Sequence, residues 1–317
     1  MLVFARCRAE RVLIRNGRVA GVEATVGTST GKRHLVKIES QAVVVACGSL
    51  HTPALLMRSG VSLPQLGRNL FIHPTTAMTG AFAESIEPWN GPPQTIVCDQ
   101  FASLNGGYGY RLETAPAHPG LLAMATPWTT AEDHERSMQL SAHRAVVIVL
   151  VRDRSTGRVT VGREGRPRIN YVPRAQEKML LRHGMASAAR ILHAAGAEEI
   201  QSLHAKPLAM RADRSTNGRS RQRDSGSQND IDRFCAILGA SSTGKNRVQL
   251  FSAHQMGTCR MGRDARHAVC DERGEVFGVR GLYVGDASAF PASSGVNPMI
   301  TIMAMAHHTA GCIAESL

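Results

Sequence analysis

At 317 residues, 43% of them apolar and 20% charged, the chain can bury one large core or two of ordinary size and falls outside the disordered class. Its net charge of +12 comes from scattered arginines without interleaved aromatics, which argues against a nucleic-acid partner. The 7 cysteines include no C-x-x-C pair, and Cys259 and Cys270 have no companion at metal-ligand spacing. They read as reduced, intracellular thiols, with no metal site expected.

No run reaches the ~20 apolar residues that a bilayer span requires. The opening, Met1-Leu2-Val3-Phe4-Ala5-Arg6, is too short for a secretory signal and reads as the middle of a strand, so the chain is expected to begin inside a domain. Residues 11–48 read as a β-meander. Arg11–Ile14 and Val19–Glu23 flank Asn16-Gly17, a hairpin-turn signal, and His34–Glu39 alternates polar with apolar residues. Ala42-Val43-Val44-Val45-Ala46 is a continuous apolar run, expected as a strand buried on both faces. A helix follows, with Thr52 expected as its cap, Pro53 in its first turn and Gly60 as its end. Strand, glycine and helix start together form a layout in which backbone N–H groups can approach a phosphate.

Short apolar runs through 75–150, closed by Ala145–Val151, predict the strands of a second sheet. Residues 174–195 predict a helix that buries Met179, Leu180, Ile191 and Leu192. The polar, Arg- and Ser-rich tract 211–228 is expected to be a mobile loop.

The chemistry is concentrated after Phe251. His254-Gln255-Met256-Gly257 offers an imidazole whose ordinary pKa suits general-base work, although a lone histidine serves structure as readily. Leu282-Tyr283-Val284 is a short strand ending at Gly285-Asp286, a carboxylate able to fix a turn or accept from a ribose hydroxyl. Asn297 is expected to cap a final helix with Pro298 as its first residue, and Ile300, Met303, Ala306, Ala310 and Ile313 as its buried face. The positive end of that helix would favour negative charge in front of it.

Val45-Ala46-Cys47-Gly48-Ser49-Leu50-His51-Thr52-Pro53-Ala54, Leu66-Gly67-Arg68-Asn69-Leu70-Phe71-Ile72-His73-Pro74, Ser252–Gly257 and Gly295–Ile302, in this order, resemble the glucose–methanol–choline (GMC) oxidoreductase family. The likeness is to the carboxyl-terminal portion of that family and is greatest for its long-chain fatty alcohol oxidase branch, which Leu150-Val151-Arg152-Asp153 and Ala194-Ala195-Gly196-Ala197 also fit. It implies a mixed α/β (α+β) fold: an incomplete Rossmann-like FAD-binding domain plus an antiparallel-sheet substrate domain. Residues 1–74 would be the partial FAD-binding region, 75–245 the substrate domain, and 246–317 the return to the FAD domain. His254 and Asn297 match the family's catalytic pair. Ala9, Cys47, Gly48, Asp286, Ala287, Pro298 and Met299 match its FAD-contacting positions.

The implied reaction is FAD-dependent oxidation of a long-chain primary alcohol to the aldehyde, with oxygen as acceptor and hydrogen peroxide as product. Another acceptor, a choline or sterol dehydrogenase, and association with a membrane surface stay open. No G-x-G-x-x-G follows a strand in these residues. A truncated chain or half of a split protein is therefore a further expectation, as is a non-catalytic remnant that holds FAD poorly.

Overall fold

The computed structural model describes residues 2–28, 31–92, 94–211 and 225–317. The chain opens with β1 (Cys7–Arg15), β2 (Arg18–Gly27), β3 (Arg33–Glu39), β4 (Val43–Val45) and α1 (Gly48–Arg58). Then come β5 (Thr75–Ala81), β6 (Val97–Cys98), α2 (Leu104–Gly107), β7 (Tyr110–Thr114), α3 (Pro119–Ala125), α4 (Ala131–Gln139) and β8 (Arg144–Val151). After β9 (Arg158–Val161) and β10 (Pro167–Asn170) follow α5 (Ala175–Ala194), β11 (Glu199–Ser202), β12 (Ala209–Arg211) and α6 (Ser225–Ala240). The chain closes with β13 (Leu282–Val284) and α7 (Met299–Ser316). Two compact units result, 1–72 with 154–172 and 253–317, and 73–153 with 173–252.

The first unit holds the meander, order β1-β2-β3, all antiparallel. Asn16 (φ 49°) and Gly17 (φ 71°) are both left-handed, as the tight turn joining Arg15 to Arg18 requires. β4 pairs in parallel with β13, Val45 opposite Val284. The expected burial of both faces of β4 is not met: Val45 is buried, but Val44 is 48% exposed, because β13 covers only one edge and no second layer lies on that face among the described residues. The domain expectation is corrected at 154–172. The β9–β10 hairpin belongs to the first unit because Leu70 and Gly157 exchange backbone bonds (3.1 and 2.7 Å) and Val159 N–H donates to Gly67 O at 2.7 Å.

The second unit is built on an antiparallel sheet of order β12-β11-β5-β8-β7-β6. Central β5 is buried along its whole length. Leu180, Leu181, Met185 and Leu192 of α5 and Leu238 of α6 pack with Met78, Tyr110 and Val149 of the sheet in one core. Met179 and Ile191, expected inside, lie exposed: the buried stripe of α5 runs through 180, 181, 185, 188 and 192. The loop expected over 211–228 lies, for 212–224, outside the described residues. At its margins it is replaced by structure, with Arg211 in β12 and 225–228 opening α6.

Candidate functional site

The carboxyl ends of β4 and β13 lie side by side, which brings Cys47-Gly48 next to Gly285-Asp286. α1 begins here, four residues before the expected Thr52 cap, with Cys47 at the cap position. Thr52 has another task. Its hydroxyl accepts the Cys47 N–H (3.0 Å) and donates to Asp286 Oδ2 (2.5 Å), which also accepts the Gly48 N–H (2.8 Å). Asp286 Oδ1 takes the Ser288 N–H at 2.8 Å. The anion at the amino end of α1 is thus the protein's own carboxylate, which satisfies the dipole there and corrects the expectation that this N–H faces a phosphate. Gly60 does end the helix. Its N–H and that of Val61 return to Met57 O and Leu56 O, with Gly60 left-handed at φ 82°.

The segment after His254 is laced between this corner and the 286–289 turn. Ser49 Oγ donates to Gln255 O (2.8 Å), and Thr258 Oγ1 donates to Ser49 O (2.7 Å). Gly257 N–H donates to Ala287 O (3.1 Å) and Cys259 N–H to Ser288 O (2.8 Å). Gly257 has φ 90°, and a Cβ there would lie 2.4 Å from Asn69 O, so only glycine fits. His254 heads the segment, half-buried, and burial lowers its imidazole pKa below the ordinary histidine value.

α7 starts at Met299 with Pro298 at the cap position and no side-chain cap, which corrects the Asn297 cap and places Asn297 on the loop entering the helix. Its expected buried face is also overturned. Ile300 and Met303 are 69% and 61% exposed, and the residues packed inward are Ile302, Met305, Thr309 and Cys312. The helix is apolar on most of its circumference, and this chain covers one stripe of it. Ile302 and Met305 pack on Phe71, Met256, Ala287 and Phe290, so one cluster supports the residues near His254, the 286–287 turn and the start of α7. Ala9 stands apart on β1, packed into the neighbouring cluster with Val45, Leu55 and Val284.

A flavin dinucleotide fits these residues on one side. Two parallel strands end together, the position over Gly48 is open, Met299 is an exposed apolar side chain at the start of α7, and His254 offers a half-buried imidazole. Desolvation, reinforced by the Asp286 carboxylate, pushes the Cys47 thiol up, so it would meet such a group as a neutral thiol. No group of three or more metal-ligating side chains occurs among the described residues. The bracing roles of Ser49, Thr52 and Thr258 leave no local signal in the sequence, because the partners lie more than 200 residues away.

Two GMC oxidoreductase family models match the chain, over residues 1–75 and 153–306. Long-chain-alcohol oxidase FAO4A of Arabidopsis thaliana is 31% identical over 316 residues, covering 96% of this chain and 41% of that protein. An uncharacterized GMC-type oxidoreductase of Mycobacterium tuberculosis is 31% identical over 305 residues, covering 96% and 44%. The chain therefore spans about two fifths of the length of these curated relatives. Among solved structures, an Aspergillus oryzae formate oxidase superposes with a TM-score of 0.66 at 17% identity, covering 98% of this chain and 60% of that one. A pyridoxine 4-oxidase from Mesorbium loti gives 0.60 at 17% identity, covering 96% and 56%. At such identity these two show a shared fold. Both halves of the sequence carry the signature of one family, and the fold agrees: the chain belongs to the GMC oxidoreductases, a family of FAD-dependent flavoproteins.

Proposed function

We propose that this chain forms the alcohol-facing side of an FAD-dependent oxidase site that converts long-chain primary alcohols to aldehydes. The observation that carries the reading is His254, half-buried at the head of a segment bonded to both the α1 corner and the Ala287 turn. FAD, when bound, supplies the acceptor for the hydride. His254 accepts the hydroxyl proton as alkoxide character develops on the substrate oxygen, a role typically worth 10²–10⁴-fold. Asn297 holds that oxygen, and the amino end of α7 stabilises its growing charge. Cys47, Gly48, Asp286 and Ala287 would bound the cofactor at the strand ends, Pro298 and Met299 at the start of α7, and Ala9 from β1.

The long-chain substrate and the oxygen acceptor rest on the similarity to the long-chain-alcohol oxidases. A choline or sterol substrate is the alternative within the family. No helix among the described residues is long and apolar enough to cross a membrane, and contact with a membrane surface remains a proposal for bringing in such a substrate.

The exposed stretch Leu2-Val3-Phe4, Val44 and the open face of α7 favour a site completed by a dinucleotide-binding segment, in the same or a separate polypeptide. Incubation of the purified chain with FAD, followed by desalting, tests this. Little flavin should stay on the chain alone, and retention should rise when a G-x-G-x-x-G-bearing half is co-expressed. Stoichiometric flavin on the chain alone would remove the need for that segment.

A further inference from the structure

One polar cluster in the second unit takes no part in the site above. Arg144, Ala81, Glu199 and Arg211 stand in register across β8, β5, β11 and β12, so they share one face of the sheet. Ala81 is small, which lets the Arg144 guanidinium reach over it toward Glu199. Arg144 is 2% exposed, donates to Thr79 Oγ1 (3.0 Å), and sets Nη2 3.6 Å from Glu199 Oε1. Two exposed arginines then converge on the other carboxylate oxygen, Arg136 Nη2 from α4 at 2.8 Å and Arg211 Nε at 2.9 Å.

Three guanidinium groups on one carboxylate leave an excess of two positive charges. Burial lowers the Arg144 pKa, and the charge of Arg136 adds to that lowering. The buried Arg144 Nε has no hydrogen-bond partner among the described residues. Nε and Nη1 of Arg136 and both Nη groups of Arg211 also have none among the described residues. Because Arg136 and Arg211 bond the same oxygen, the two guanidinium groups lie close together. Guanidinium edges match the oxygens of phosphate in spacing and direction, and a phosphomonoester is close to a dianion at neutral pH.

We propose that Arg136 and Arg211, seated on the buried Arg144–Glu199 pair, form a binding site for a phosphomonoester dianion. The ligand is a free phosphate compound or a lipid headgroup ending in a monoester phosphate, and both present the same three oxygens.

Calorimetric titration of the full chain with inorganic phosphate at fixed ionic strength tests the first source. Co-sedimentation with phosphatidylcholine vesicles, with and without phosphatidic acid, tests the second. Saturable binding in at least one arm is expected, weakened at least about tenfold in Arg136→Ala and Arg211→Ala and partly restored in Arg211→Lys. Both arginines are exposed, and unfolding curves in chloride should show the alanine variants folded. Phosphate also stabilises proteins by general exclusion from their surface, which would act equally on wild type and variants. Binding that is absent from both arms, or unchanged in both alanine variants, overturns the site.

Discussion

Thr258 donates its hydroxyl to the carbonyl of Ser49 at 2.7 Å, in the place of a helix bond that cannot form. In α1 the Ser49 carbonyl would receive the N–H of residue 53, but residue 53 is proline. Both Thr258 and Ser49 are buried, so the carbonyl has no water to turn to. Thr258→Val should therefore cost about 1–3 kcal/mol in urea unfolding, the penalty of an unpartnered buried acceptor, while Thr258→Ser should stay close to wild type.

Gly257→Ala should cost more than a surface change of the same kind. The new Cβ would press on Asn69 O, and alanine at φ 90° is strained in any case. A loss of about 1–3 kcal/mol is expected by urea unfolding. Because Gly257 anchors the segment headed by His254, activity of flavin-loaded protein should fall with it.

Glu199→Gln should destabilise the second unit by about 3–5 kcal/mol, since it strands the buried Arg144 cation. Adding Arg144→Met to Glu199→Gln should recover part of the loss, because the pair is then removed together. Thermal unfolding of the two single variants and the double variant measures the coupling directly.

Stability should fall as pH drops below about 6.5, the ordinary histidine value. Burial lowers the pKa of both His204 and His254, so the unfolded chain binds protons more readily at these two positions than the folded one. Their contribution is complete above the unfolded value and is lost as pH falls through the lowered folded values. Urea midpoints measured from pH 7.5 down to 5 should decline, and the decline should be shallower in His204→Asn.

Much of the framework was legible where the signal is local. Asn16-Gly17 fixed the first hairpin, Gly60 the end of α1, and the apolar run 145–151 the strand β8. The parts that escaped depend on distant partners. Pro53 marks a first turn only if nothing replaces its missing N–H, and Thr258 replaces it from 205 positions away. The inward stripe of α7 could not be read from periodicity because the helix is apolar nearly all round. Nothing local ties the β9–β10 hairpin to the first unit; its backbone bonds to Gly67 and Leu70 do. His254 is singled out by its motif alone, whereas the lowering of its pKa follows from burial that the sequence does not display.

The most direct test of the proposed role of His254 is anaerobic bleaching of flavin-loaded protein by a long-chain primary alcohol, prepared with a co-expressed dinucleotide-binding half if needed. The wild-type chain should bleach, and His254→Gln should keep its flavin but bleach about 10²–10⁴-fold more slowly. Bleaching of His254→Gln at the wild-type rate would contradict the assignment of His254 as the proton acceptor.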